Sequence, residues 1–264
     1  MLSKVVTCEK AEAFDIFPEV LFKAGFELMK YNLVLVKSNI CGMYHPDSQL
    51  IESTLRLFEP HARRIVIGET DSMAHTPDER FRRLGILDLV KQFKGKVEAI
   101  NLMKDEILKL EVPSPHAVSH LPIPKLVHDC DLLVNIAKVG THSRTMLTCA
   151  LKNLFGLLAE KRKYSVYHPL GVDKVIADLA KIVRCDLNIV DANDQVIVGV
   201  DPLPVDILAC RFVDLNPLKV EHLRLVSNDR HLRLEDVVNQ LARATPRVLA
   251  SCRRSFSLIH SVFR

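Results

Sequence analysis

A mostly parallel, twisted α/β sheet with helices on both faces is the fold this sequence predicts. Short β-branched runs that do not alternate polar with apolar residues are the first reason, and helical stretches lying between those runs are the second. Strands without alternation are covered on both faces, the condition of a parallel sheet. The third reason is composition: 264 residues, 48% hydrophobic and 26% charged, fit one large folded domain. Residues 1–242 are read as that single α/β domain. Residues 243–264 are read as a basic C-terminal segment with five arginines and no acid.

In chain order, strands are expected at 4–7, 33–36 (LVLV), 64–67 (RIVI), 132–136 (LLVNI), 187–190 (LNIV) and 195–198 (QVIV). Helical periodicity covers 11–30, 47–58, 77–90, 145–158, 172–183, 204–212 and 217–226. The start at 77 is marked by Thr76-Pro77-Asp78-Glu79: a capping threonine, proline at the first helical position, and glutamate three residues after the cap. Residues 97–124 carry prolines at 113, 115, 122 and 124 and are expected to form a small excursion at one end or edge of the sheet. In the expected 145–158 helix, Leu147, Ala150, Leu151, Leu154 and Leu158 make one apolar stripe. Thr145, Thr148, Cys149, Lys152, Asn153 and Gly156 make the opposite one, unusually small for a solvated face.

Several classes are disfavoured. A net charge of +4, no tryptophan and 6% aromatics argue against a nucleic-acid binder. No apolar run approaches the ~18 residues of a membrane span, and the N-terminus lacks the apolar core of a signal peptide, so a cytoplasmic protein with no membrane partner is expected. The seven cysteines show no CxxC spacing. They are expected to be reduced thiols, with no cysteine-ligated zinc or iron–sulfur cluster.

Polar chemistry gathers where the strands end. LVLV is followed by Lys37, Ser38 and Asn39; RIVI by Gly68, Glu69, Thr70 and Asp71; LLVNI by Lys138, Gly140, Thr141, His142 and Ser143; LNIV by Asp191. Ligands of open α/β sheets sit outside the carboxyl ends of the strands, so these groups are expected to converge in one cleft. Lys37, Asn39, Thr141, Ser143, Lys152 and Asn153 are the candidate ligand-binding residues. His142, Lys138 and Asp191 are the candidate catalytic ones. His142 is the acid/base, and the lysines together with N–H groups at the start of the following helix hold a phosphate or carboxylate. Glu69 and Asp71 are oxygen donors suited to a divalent cation.

The stretch KVGTHSRTMLTCALKNLFGLL, Lys138 to Leu158, resembles the central signature of the domain of unknown function 362 family, K-x-K-T-H followed by a helix ending L-K-N-L-F-G. Lys37-Ser38-Asn39 stands for its K-P-N, Ile67-Gly68-Glu69-Thr70 for its G-E-S, Ile189–Ala192 for its I-V-D-A, and Asp201–Asp206 for its D-P-V-A-x-D. Ser38 replaces the proline, Gly140 the second lysine, and the glycine-rich loop after I-V-D-A is reduced to 194–199. The ferredoxin-like module of many relatives has no counterpart. The resemblance implies a fold and a site region but no reaction. A cytoplasmic protein handling an anionic small molecule is thus the leading expectation. Its alternative is a non-catalytic binding or assembly module whose polar cluster is structural. Substrate and subunit count stay open.

Overall fold

The computed structural model describes residues 3–249. Its strands are β1 Val5–Glu9, β2 Tyr31–Ser38, β3 Ala62–Glu69, β4 Val97–Asn101, β5 Ile107–Glu111, β6 His120–Pro124, β7 Leu132–Lys138, β8 Gly140–His142, β9 Met146–Thr148, β10 Leu187–Ala192 and β11 Gln195–Gly199. Seven of them form one sheet in the order β1-β11-β10-β7-β2-β3-β4. The run from β10 to β4 is parallel, and β11 and β1 extend it antiparallel. The expected α/β architecture is what the chain adopts. All six predicted strands are present, each slightly longer than its apolar run.

Helices cover both faces. On one, Val34, Val36, Ile65, Ile67, Val134 and Ile136 pack with Leu50, Leu55 and Phe58 of the helix Ser48–Phe58 and with Phe81 and Ile86. On the other, Leu35, Val66 and Leu133 pack with Leu154, Leu157, Val175 and Leu179. Successive strand residues point to opposite faces, so this division follows directly from the pleat.

The 217–226 helix is a 3₁₀ turn at Pro217–Lys219 followed by the helix Glu221–Asp229, and four further expectations change. The 11–30 helix is two short ones, Lys10–Ala13 and Phe17–Lys23, because Pro18 starts a fresh first turn. The 77–90 helix is cut into Pro77–Arg83 and Ile86–Lys91 by Gly85 at φ 70°. Its Thr76 cap forms as expected, the hydroxyl accepting from Glu79 N at 3.4 Å. Residues 97–124 begin with β4, the edge strand of the main sheet, and continue as the β5–β6 hairpin. Pro122 and Pro124 are accommodated because β6 has a partner on one side only.

The fourth change bears on the site. Residues 145–158 are not one helix: β9 pairs back on β8, and the helix occupies only Ala150–Leu154, followed by a 3₁₀ turn at Phe155–Leu157. Asp206 sets the start, accepting from Ala150 N at 2.8 Å and Leu151 N at 3.0 Å. The N–H groups expected to receive a ligand anion are therefore occupied by the protein's own carboxylate.

Candidate functional site

Lys37, Asn135, Asn188 and Gly199 lie in register across β2, β7, β10 and β11 and so make one polar row on one face of the sheet. The helix Ala150–Leu154 lowers Asn153 onto that row. Lys37 Nζ donates to Glu69 Oε2 (2.8 Å) and Asn153 Oδ1 (2.6 Å). Asn153 Nδ2 donates to Asn135 Oδ1 (2.7 Å), Asn135 Nδ2 to Asn188 Oδ1 (2.8 Å), and Asn188 Nδ2 to the Gly199 carbonyl (3.3 Å). All of these residues except Gly199 carry buried side chains linked in one direction of donation. Burial pushes the Glu69 carboxyl up, against the opposing charges of Lys37 and Lys163. Lys163, pushed down to about 8 by burial, donates to Thr70 Oγ1 beside the pair. The small residue at 156 is explained here: a Cβ on Gly156 would stand 2.4 Å from Glu69 Oε1 and 2.8 Å from Lys37 Nζ.

Strand parity divides the expected single cleft. Lys37 and Asn135 are paired, and Lys138 lies three residues after Asn135, so it points to the opposite face. There Lys138 Nζ (3.0 Å) and Lys10 Nζ (2.8 Å) share Asp191 Oδ1, while Asp47 N donates to Oδ2 at 2.9 Å. Burial works against the Asp191 charge, but these bonds outweigh it and hold its carboxyl below the usual range. This trio forms part of the wall of a cleft of about 650 Å³ that reaches Ile51, Leu84, Ile86 and Leu89. Lys138 and Asp191 are thus brought together, but away from Lys37, Glu69 and Asn153.

His142 and Lys152 form a third group. Lys152 Nζ reaches back to Thr148 Oγ1 (3.2 Å), its one hydrogen-bond acceptor among the described residues. Burial pushes its ammonium down to about 8, with Asp173 pulling the other way. His142 Nδ1 accepts from Arg144 N (3.2 Å) and Thr145 N (3.3 Å). Burial first, then the charges of Lys152 and His168, push this imidazole below the ordinary histidine range. His168 is also lowered, chiefly by burial, and its Nδ1 is buried without a hydrogen-bond partner among the described residues. Asp173 Oδ1 accepts from His222 Nδ1 at 2.6 Å.

Of the remaining candidates, Asn39 donates to the Tyr44 carbonyl (2.6 Å), and Asp71 accepts a long 3.4 Å bond from Asn101. Thr141 and Ser143 are exposed on the β8–β9 hairpin. Glu69 and Asp71 both act on the Lys163 ammonium. Glu69 is committed to Lys37, and among the described residues no group of three or more His, Cys, Asp or Glu is placed to share a metal ion. Among the described residues, the six cysteines form no disulfide. Cys252 and most of the basic 243–264 segment lie outside the described residues, and the helix Leu234–Leu249 runs through position 243. Also among the described residues, no helix is long and apolar enough to cross a membrane.

Sequence reasoning misses Lys10, Lys163, Asp173 and His222; it sees Asp206 only as the end of the D-P-V-A-x-D-like stretch and His168 only as a loop histidine that could meet His142. Asn135 and Asn188 left a usable signal, each a lone amide inside an otherwise apolar strand.

Comparison with known proteins agrees with the sequence pattern. The alignment to thylakoid-associated protein sll1697 of Synechocystis sp. shows 26% identity over 180 residues, 52% of this chain and 56% of that protein. Two solved structures are similar. One is the lactate racemase apoprotein from Thermoanaerobacterium thermosaccharolyticum (TM-score 0.47, 15% identity, 71% of this chain and 50% of that one). The other is a Thermotoga maritima protein (TM-score 0.47, 16% identity, 75% and 58%). The family described as "Domain of unknown function (DUF362)" matches residues 28–195, a span holding the polar row, Lys138, Asp191, His142 and Lys152. With well over half of its length matched, the chain belongs to the DUF362 family.

Proposed function

We propose that the protein binds a small molecule bearing a carboxylate or phosphate group, with that group at Lys152 between His142 and His168. The supporting observation is the Lys152 ammonium: partly buried, with three donors and a single hydroxyl acceptor. A largely buried ammonium with no direct ion pair among the described residues is costly, and an oxyanion arriving from solvent relieves that cost. The unpartnered His168 Nδ1 points the same way. The test is a thermal-shift screen of phosphorylated and carboxylated metabolites on the wild type and K152M. A ligand of the folded state raises the melting temperature by mass action. K152M keeps the stem, removes the charge, and is expected to abolish the shift while folding normally. An equal shift in K152M would sink the proposal.

The sealed Lys37–Glu69–Asn153 portion favours the other reading for that part of the cluster. Lys37 Nζ, the Glu69 carboxylate and both Asn153 amide atoms are satisfied by protein groups, so their role is to hold the sheet and the helix Ala150–Leu154 together.

A further inference from the structure

Resting on that anion-site reading, we infer that His142 is a fixed, neutral donor. It offers Nε2–H to an oxyanion of the ligand and does not take a proton from it.

β8 and β9 pair His142 with Met146, leaving residues 143–145 as the tip. Two N–H groups of that tip, from Arg144 and Thr145, point at His142 Nδ1. A backbone N–H can only donate, so Nδ1 must present its lone pair. A neutral imidazole has one N–H, and that proton is therefore on Nε2.

The tip is held in this shape at a cost. Met146 sits at φ 59°, and across it Leu147 N donates to the Thr145 carbonyl at 2.6 Å. A three-residue turn with positive φ at its centre is rare and strained, so it persists only where the surroundings over-determine it. Here they do: Thr145 is buried, and its hydroxyl donates to the Leu147 carbonyl at 3.1 Å. A proton placed on Nδ1 would confront both N–H groups and force the tip open. Of the charged and titratable groups near the ring, Lys152, His168 and Arg144 oppose a second proton, and Asp173 favours it.

The ligand chemistry follows. The group facing His142 and Lys152 must accept from both, as a carboxylate or phosphoryl oxygen does. A ligand hydroxyl aimed at the ring would find no acceptor there.

The experiment is long-range proton–nitrogen NMR of the full ¹⁵N-labelled chain at neutral pH, with the His142 signals identified by their loss in H142Q. Expected are a pyridine-like Nδ1 and a pyrrole-like Nε2. An N–H on Nδ1, or a doubly protonated ring, overturns the inference. Inorganic phosphate and acetate, titrated in separately, should move the Nε2 signal. If the tautomer is as expected but neither anion moves it, the oxyanion reading fails and the tautomer stands. By affinity, H142Q retains an N–H at the ε position and should bind phosphate within about threefold of wild type. H142N keeps an acceptor for the tip, but its N–H groups stop short of the ε position, so it should weaken binding about tenfold or more, the worth of one hydrogen bond to a charged group. The reverse order of these two variants overturns the donor role.

Discussion

Lys37 Nζ lies 2.8 Å from Glu69 Oε2, and neither side chain is more than 3% exposed, so two strand ends are joined by an ion pair sealed from water. Such a pair is a hazard when halved. K37M leaves the Glu69 carboxylate buried without its partner and is expected to lower unfolding free energy by about 3–5 kcal/mol. K37M/E69Q removes the stranded charge and should recover part of that loss. Urea denaturation of both variants checks the order; a double variant weaker than K37M contradicts it.

Gly156 leaves room for that pair. G156A places a methyl against Glu69 Oε1 and Lys37 Nζ, whose positions are set by further hydrogen bonds. The expected loss is about 1–3 kcal/mol, the range for overpacking a filled core. An unchanged denaturation midpoint would mean the pair relaxes freely.

Asp206 carries a pH signature. Burial, opposed by the N–H groups it caps, raises its carboxyl to about 6. A folded-state value above the unfolded one means that the native state binds the extra proton. The stabilisation this linkage contributes is present below the unfolded value, near ~3.9, and is lost as pH rises through about 6. D206N should therefore be closest to wild type above pH 6, with the wild-type advantage growing as pH falls toward 4. At neutral pH the variant still loses one of two cap bonds, a cost of about 1–2 kcal/mol. Denaturation curves of both proteins across that window are the measurement.

Lys152 sets a second window. With its ammonium titrating at about 8, charge is present below that value and lost above it. Oxyanion binding, followed by calorimetry with inorganic phosphate, should weaken as pH rises from 7 to 9 (an interval chosen to bracket the titration). K152M should bind weakly and show no such dependence. A wild-type affinity flat across the interval would count against Lys152 as the anchor.

Asp178 makes the fourth test of local structure. Its carboxylate accepts from His116, Ala117 and Val118 N–H groups, tying the β5–β6 loop to the helix Val172–Ile182. D178A should free that loop, and limited proteolysis should cut near residues 113–119 faster than in the wild type.

The sheet was readable from β-branched runs alone, because buried parallel strands need no partner information to look buried. The strand-end residues were readable too, but not their division among three places. That division depends on parity: Lys37 is the next-to-last residue of β2, while Lys138 closes β7, and a one-position difference in where a strand ends reverses the face. The expected 145–158 helix failed for a different reason. Its apolar spacing suits either state, and what limits the helix to Ala150–Leu154 is Asp206, 56 residues downstream of Ala150. No local pattern carries such information. β4 was missed because an edge strand with exposed positions lacks the uninterrupted apolar run.

Each amide in the row beneath Asn153 both receives and passes on a hydrogen bond, so the row has a sense as well as a position. Were the helix above to slip by three residues, Gly156 would stand where Asn153 now does. The chain of donors would break at both of its neighbours, leaving the Lys37 ammonium with Glu69 but one acceptor short and the Asn135 carbonyl oxygen without its donor, in a dry interior. Apolar packing alone would tolerate that slip, since Leu154 and Leu157 would stand where Leu151 and Leu154 now do. The amides work as a key cut for a single lock: they exclude near-miss arrangements of helix on sheet that greasy contacts could not tell apart.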